Sequence, residues 1–303
     1  MRKARQAVEP ASVMDRAPLT PAVDMDFAAT DPASSPSIVS GVNAVKSEVA
    51  ETKRPLSKPA GPKIQFVEVV SRLGPRLEPR LAEMISGEGI WSEQFRALRE
   101  KMRTLPGAEQ ARCLGLVSST AGEGKSTIAI ALSLVLAQEP DQRVLLVDAD
   151  LRKPDVGRYL GLTETRGLAE WLKDPTETVR VQRLTQHGLC VLSAGHPPRR
   201  PWELIARPQL GELLAAARRD FDRVVVDCAP QTPVADTARI QDHLDAVILV
   251  VRARLAPREA ILNTVDQIKE EKILGMVFND IHSMVSNYYY HGYQYYRSYQ
   301  QRA

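Results

Sequence analysis

The sequence predicts an α/β protein whose mostly parallel sheet is covered by helices on both faces. Three observations support this fold class: short apolar runs alternate with helical stretches, some of these runs end in aspartate, and a glycine-containing loop joins one run to a helix. Because both faces of such a sheet are buried, its strands read as continuous apolar runs. The alternation extends from about residue 89 to about residue 281.

The expected elements follow one another along this region. A helix begins at Trp91, where apolar residues recur at helical spacing, and ends before Pro106. Strands are expected at 113–117, 144–148, 189–193, 223–227, 246–251 and 275–279. Helices are expected at 126–138, 208–219, 233–242 and 257–270. Residues 64–88 contain apolar side chains interrupted by glycine and proline, and their structure is left open.

Composition divides the chain into three regions. Residues 1–88 are rich in proline and alanine, and the first 63 of them contain a single aromatic residue, Phe27. Such a segment buries too little apolar surface to offset its loss of conformational entropy, so we expect it to be disordered or weakly ordered. Residues 89–281 form the α/β domain, and residues 282–303 form a tail.

The overall composition argues against several classes of protein. The chain carries 40 Lys and Arg against 37 Asp and Glu, a formal charge of +3, which gives no reason to expect nucleic acid as a partner. The three cysteines are far apart and lie in or beside expected strands, which is typical of buried thiols in a reducing cytosol. No apolar segment approaches the ~20 residues that span a bilayer, and the N-terminus lacks the apolar core of a signal peptide.

The most informative stretch is SSTAGEGKST, residues 118–127, between an expected strand and an expected helix. A loop of this kind turns backbone N–H groups inward and leads into a helix whose first amides are unpaired, so it can bind phosphate oxygens. Gly122 and Gly124 would let the backbone approach closely. Lys125 would reach the β- and γ-phosphates, and Ser126 would ligate Mg²⁺. Serine replaces the first glycine of the pattern G-x-x-x-x-G-K-[ST], and the alternative is a structural turn with a solvated lysine.

Three aspartates follow later apolar runs. In VLLVDADLRKP, residues 144–154, a strand delivers Asp148 and Asp150 to its carboxyl end, where open α/β sheets bind ligands. The one-residue spacer points both carboxylates the same way, so one can organise Mg²⁺ while the other accepts a proton from a hydroxyl. In FDRVVVDCAP, Asp227 ends a strand in the position of a Walker B aspartate. Alone, each could be a helix cap or a structural residue; three such aspartates after a lysine loop are less expected by chance.

Together these segments resemble bacterial tyrosine kinases of polysaccharide synthesis and export, within the P-loop ATPases that include the Min and Par proteins. The resemblance runs from about Trp91 to the C-terminus, and it also rests on SEQFRALR, RGLAEWL, LSAGHPPRRPWELIARPQL and a tyrosine-rich tail. It implies a Min/Par-like P-loop fold and an enzyme that uses ATP and Mg²⁺ to phosphorylate tyrosine.

The resemblance assigns roles to individual residues. Asp150 would orient and deprotonate the attacking tyrosine, and the catalytic residues would be Lys125, Asp148 and Asp150. The nucleotide would bind at Gly122, Glu123, Gly124, Lys125, Ser126, Thr127 and Asn279, the last of these against adenine. The ligands of Mg²⁺ would be Ser126, Asp148 and Asp227.

A row of charged residues in the first helix is given a role by the same resemblance. Glu93, Arg96 and Arg99 would contact a neighbouring subunit and build a ring. From spacing alone, a solvated helix face with ion pairs worth ~0.2–0.5 kcal/mol fits the row equally well.

The tail holds seven of the eight tyrosines and no Asp or Glu. The resemblance makes them the phosphate acceptors, with one subunit's tail entering its neighbour's site: Tyr288, Tyr289, Tyr290, Tyr293, Tyr295, Tyr296 and Tyr299. Each phosphate would add about −1.5 to −2 charge, so several would make the tail strongly anionic and could release it from the ring. The alternative is an aromatic segment without a catalytic role.

The resemblance also implies partners and a location. The activator would be the cytoplasmic end of a separate transmembrane chain-length determinant, or polysaccharide co-polymerase, and a cognate tyrosine phosphatase would remove the phosphates. The kinase would then be cytoplasmic and peripheral to the inner membrane. Two alternatives stay open: a Min/Par-like localisation ATPase that phosphorylates no protein, and a non-enzymatic ATP-binding scaffold. The tail, and Thr120 in place of the signature lysine of Min and Par proteins, favour the kinase over the localisation ATPase.

Overall fold

The computed structural model describes residues 64–71, 77, 79–87, 89–162, 166–176, 178–185, 188–231 and 236–280, all within one unit of the chain, 57–303. The strands in these ranges are β1 (Gln65–Ser71), β2 (Cys113–Ser118), β3 (Val144–Asp148), β4 (Thr178–Leu184), β5 (Cys190–Leu192), β6 (Arg223–Asp227), β7 (Ala246–Arg252) and β8 (Ile273–Asn279). The helices are α1 (Pro79–Ser86), α2 (Ile90–Thr104), α3 (Lys125–Ala137), α4 (Val156–Tyr159), α5 (Leu168–Lys173), α6 (Pro201–Ile205), α7 (Pro208–Asp220), α8 (Asp236–Gln241) and α9 (Arg258–Asp266), with a 3₁₀ helix at Glu270–Lys272.

A single sheet joins these strands in the order β1-β4-β5-β3-β6-β2-β7-β8. The strand pairings are parallel except for that of β4 with β5, which is antiparallel. Because β6 lies between β2 and β3 and pairs with both in parallel, the carboxyl ends of these three strands lie side by side at one edge of the sheet. The predicted α/β fold with a mostly parallel sheet is confirmed.

Helices cover both faces of this sheet. Along β3, Val144 and Leu146 join an apolar cluster that includes residues of α1, α2 and α3. Leu145 and Val147 join the cluster on the opposite face, with residues of α5, α6 and α7. Successive side chains of a strand point to opposite faces, so both sets must be apolar, which explains the continuous apolar runs.

The structure contains elements that the sequence analysis did not assign. β1 and α1 lie within residues 64–88, and β4 precedes β5. Phe66 of β1 packs edge-on against Phe221, with ring centroids 5.3 Å apart, and Leu81 and Met84 of α1 are buried. These contacts join residues that are far apart in sequence, so a local pattern interrupted by glycine and proline does not reveal them.

Most of the predicted element bounds agree with the structure within two residues. Two helices differ by more. The helix predicted at 233–242 is described only from Asp236 to Gln241, since residues 232–235 lie outside the described residues. The helix predicted at 257–270 was too long, because α9 ends at Asp266 and Glu270–Lys272 form a separate 3₁₀ helix. No helix in the part of the chain described above is long and apolar enough to cross a membrane.

Candidate active site

The glycine loop, residues 119–124, connects β2 to α3. Gly122 and Gly124 have φ angles of 87° and 89°, the left-handed region that side chains with a Cβ disfavour. Glu123, between them, is 1% exposed, and its Oε2 accepts a hydrogen bond of 2.8 Å from the backbone N–H of Thr120. The loop therefore holds its own shape through a buried carboxylate as well as through its two glycines.

The helix that follows begins with the residues predicted to bind phosphate and Mg²⁺. Lys125 is the first residue of α3, and Ser126 and Thr127, both partly exposed, complete its first turn. The remainder of α3, residues 128–137, is buried, so the start of the helix is fixed by a packed core. This arrangement gives the loop and the helix N-terminus a common rigid support.

Lys125 forms a buried ion pair with Asp227, the last residue of β6. The Lys125 Nζ lies 2.6 Å from the Asp227 Oδ1, and the two side chains are 6% and 0% exposed. Burial by itself would lower the pKa of Lys125, but the charge and hydrogen bond of Asp227 outweigh it and raise the pKa above its ordinary value. The lysine is therefore charged at neutral pH.

Asp148 ends β3 directly beside Asp227, and the two residues are paired in the ladder between β3 and β6. Its carboxylate is fully buried and accepts hydrogen bonds of 3.2 Å from the N–H groups of Asp150 and Val156. Burial, followed by the negative charge of Asp227, raises the pKa of Asp148 well above its usual range. A cation placed near this pair would relieve the repulsion between them.

Asp150, two residues further on, is 6% exposed. Its Oδ1 accepts hydrogen bonds from the N–H groups of Arg152, at 3.2 Å, and Lys153, at 3.0 Å. Burial raises the pKa of Asp150, although the charge of Lys125 and these two N–H groups oppose the shift. A buried carboxylate with a raised pKa, held in one orientation, is suited to accept a proton during a reaction.

The residues at this sheet edge fit a magnesium ion that is shared with a phosphate ligand. The Oδ2 of Asp227 is buried and has no hydrogen-bond donor, although buried carboxylate oxygens normally have one. In the described residues there is no group of three or more His, Cys, Asp or Glu side chains that could hold a metal by itself. Magnesium commonly binds through one or two carboxylates, water and substrate phosphates, and Asp227, Asp148 and Ser126 would supply such protein oxygens.

Asn279 ends β8 beside the glycine loop rather than apart from it. Its Nδ2 donates a hydrogen bond of 2.8 Å to the carbonyl of Glu123. A Cβ at Gly124 would lie 2.2 Å from the same nitrogen, so the close approach requires glycine there. The contact with adenine stays a prediction.

Two contacts of the site were not anticipated from the sequence. Arg152 pairs with Asp236 of α8, with 2.6 Å between Nε and Oδ2, and thereby joins the segment that carries Asp150 to α8. Arg252 donates a hydrogen bond of 3.3 Å to the carbonyl of Gly122. Both arginines contact residues far away in the chain, and no local pattern points to either contact.

The charged row on α2 lies outside this group of site residues, and its arginines have partners in the same chain. Arg96 pairs with Glu93 at 2.5 Å and donates to the Gly87 carbonyl. Arg99 is 17% exposed and binds Glu139, at 3.1 Å, and the Val135 carbonyl near the end of α3. The subunit contact stays a prediction, and the predicted acceptor tyrosines, 288–299, lie outside the described residues.

Known proteins resemble this chain in both sequence and structure, although no model of a protein family matches it. The tyrosine-protein kinase YwqD of Bacillus subtilis is 32% identical over 223 residues, covering 72% of this chain and 94% of YwqD. The succinoglycan biosynthesis transport protein ExoP of Rhizobium meliloti is 29% identical over 197 residues, covering 62% of this chain but only 25% of ExoP.

A solved structure agrees with these relatives. The kinase domain of the Escherichia coli tyrosine kinase ETK superposes with a TM-score of 0.59 at 27% identity, covering 68% of this chain and 81% of that domain. The chain is therefore similar in sequence to nearly all of YwqD, and it also has the fold, the lysine loop and the aspartates at the ends of β3 and β6. The chain belongs to the family of bacterial tyrosine-protein kinases.

Proposed function

We propose that this kinase is an autokinase that uses Mg-ATP to phosphorylate the tyrosines of its own C-terminal tail, in trans between the subunits of a ring. The observation that carries the proposal is the convergence of Lys125, Asp148, Asp150 and Asp227 at the end of the glycine loop, with one buried oxygen of Asp227 lacking a donor. Four ionisable groups at one strand edge, more acidic than basic, suit a ligand that brings both phosphate and a divalent cation.

The proposed chemistry gives each side chain a separate task. The glycine loop and Lys125 would hold the phosphates, and Ser126, Asp148 and Asp227 would hold Mg²⁺, which would supply charge neutralisation on the transferred phosphoryl group. Asp150 accepts the proton of the tyrosine hydroxyl while the tyrosine oxygen forms a bond to the γ-phosphorus. The bond between that phosphorus and the β–γ bridging oxygen breaks, and ADP leaves. Because a free phenol has a pKa of ~10, a carboxylate acting as the new bond forms is a reasonable base.

The biological role that we propose is the regulation of extracellular or capsular polysaccharide synthesis and export. The name of the relative ExoP, succinoglycan biosynthesis transport protein, supports this role. The matching segment is about a quarter of ExoP. By the resemblance described above, the proposed activator is a separate transmembrane co-polymerase. A cognate tyrosine phosphatase would reverse the reaction, and the kinase would lie at the inner membrane through its partner.

Intact mass spectrometry tests the proposal directly. The protein is incubated with Mg-ATP, with and without a candidate activator fragment, and the tail peptide is then sequenced. Serial additions of phosphate between Tyr288 and Tyr299, absent from Lys125→Met, are the expected result. Mixing Lys125→Met with an active, tail-deleted protein tests transfer in trans, since only the former has acceptors. ATP hydrolysis without phosphate on protein would instead favour a localisation ATPase.

A further inference from the structure

We propose that Arg252 and Asn279 are positioning residues that hold the glycine loop ready for phosphate, and that Asp280 links this support to the start of the tail. These three residues are called the latch below. The proposal rests on the proposed binding of ATP at the loop, and not on which residues the kinase phosphorylates. It assigns to Asn279 a contact with the loop in place of a contact with the base.

Two side-chain contacts fix the direction of the peptide units in the loop. Arg252 donates to the Gly122 carbonyl at 3.3 Å, and the Asn279 Nδ2 donates to the Glu123 carbonyl at 2.8 Å. In a trans peptide the carbonyl and the next N–H point in opposite directions. With these two carbonyls held by the latch, the N–H groups of Glu123 and Gly124 point away from it, which is the arrangement that a phosphate-binding loop requires.

The latch is continuous with the end of β8. Arg252 forms an ion pair with Asp280, with 2.7 Å between Nη2 and Oδ2. The Asn279 carbonyl accepts a hydrogen bond of 2.9 Å from the N–H of Ala253, and Asp280 has a φ of 59°. The ends of β7 and β8 are thus tied to each other and to the loop, one residue before the segment that leads into the tyrosines.

The side chain of Asn279 fits closely against the loop. A Cβ at Gly124 would overlap its amide nitrogen, so the side chain lies directly against the loop backbone. Asparagine at the end of the edge strand β8 can therefore act through the loop whatever base is bound. The two roles can be distinguished by measurement. Loss of a contact with adenine would weaken only ligands that carry the base, whereas loss of a contact with the loop would weaken every phosphate ligand.

The experiment measures the binding of Mg-ATP and of Mg-tripolyphosphate, which has no base, by calorimetry. Asn279→Ala is expected to weaken both ligands by the same factor, about three- to tenfold, since one hydrogen bond is lost. Asp280→Asn keeps a residue that tolerates positive φ but removes the charge paired with Arg252, and about two- to fivefold weaker binding of both ligands is expected. Arg180 is exposed on β4, near the opposite edge of the sheet. Arg180→Gln is the matched control, and it should bind both ligands as tightly as the wild type does.

Three outcomes would overturn the proposal. Asn279→Ala could weaken ATP but not tripolyphosphate, which would return this residue to the adenine site. Both variants could bind as the wild type does. Their loss of affinity could instead follow a lower melting temperature of the ligand-free protein, which would indicate general destabilisation. The readout is ligand affinity and not phosphoryl transfer, so a wild-type protein that binds normally yet phosphorylates nothing would contradict the proposed function alone.

Discussion

The strand-end cluster (Lys125, Asp148, Asp150 and Asp227) and the α2 row (Glu93, Arg96 and Arg99) are both charged, but they differ in solvation. In the cluster the charges are buried, one carboxylate oxygen has no donor, and the pKa values of Asp148 and Asp150 are raised. In the row the arginines have acidic and carbonyl partners in the same chain, and Glu93 and Arg96 are substantially exposed.

This difference separates a site that requires a ligand from a surface that does not. Buried charges of one predominant sign are unfavourable until a ligand compensates them, so their presence indicates function. Exposed ion pairs are worth little, and their presence indicates neither a partner nor its absence. Substitutions in the cluster should therefore have large effects, and substitutions in the row should have small ones.

Lys125→Met should reduce phosphoryl transfer to tyrosine by about 10³-fold or more, because it removes a fixed positive charge from the phosphate site. It should also lower the free energy of unfolding by about 3 kcal/mol, because Asp227 is left buried without its cation. Urea unfolding of the ligand-free protein checks the second effect. Lys125→Met combined with Asp227→Asn should recover part of that stability, and a double variant less stable than Lys125→Met would contradict the account of the pair.

Asp150→Asn should lower kcat by about 10²-fold or more while leaving the affinity for Mg-ATP within about threefold of the wild type. The reason is that Asp150 is assigned to the proton of the tyrosine and not to the phosphates. Rapid-quench measurement of a single turnover checks kcat, and calorimetry checks binding. A variant that loses ATP binding in proportion to kcat would show instead that Asp150 holds the nucleotide or the metal.

The stability of the wild type relative to Asp148→Asn should depend on pH. The pKa of Asp148 is raised in the folded protein, so its contribution is fully present below the unfolded value of about 3.9 and is lost as the pH rises through the folded value. In metal-free buffer the wild type should lose stability relative to Asp148→Asn across that window. Chemical unfolding of both proteins at several pH values measures the difference, and a difference that is constant from pH 4 to pH 8 would contradict the raised pKa.

The smallest effects are expected in the α2 row. Arg99→Gln should cost about 1 kcal/mol of unfolding free energy, because Arg99 is largely buried and binds the end of α3. Glu93→Gln should cost less than about 0.5 kcal/mol, since its pair with Arg96 is exposed. Light scattering of the same variants tests the ring: a lower molar mass for Glu93→Gln with unchanged unfolding would locate a subunit contact there. Equal losses of stability in the two variants would contradict the contrast.

The sequence by itself determined the fold class and the order of the site's parts. Continuous apolar runs predicted strands buried on both faces, and the bounds of β3 and β6 were correct because each run ends in aspartate. The sequence placed two glycines in the loop for close approach of the backbone to a ligand, and their φ angles of 87° and 89° are a second reason for glycine, which the sequence analysis did not give. These features are local, so a single stretch of chain contains all the information that they require.

Only the tertiary structure decided which charges meet. The ion pair between Lys125 and Asp227 joins residues 102 positions apart, and the hydrogen bond from Asn279 to Glu123 spans 156 positions. The structure of residues 64–88, which contain β1, was left open for the same reason, since the place of β1 at the sheet edge depends on β4 and on Phe221. Burial, and with it the raised pKa of Asp148, arises when separate elements exclude water together, a property that no local pattern contains.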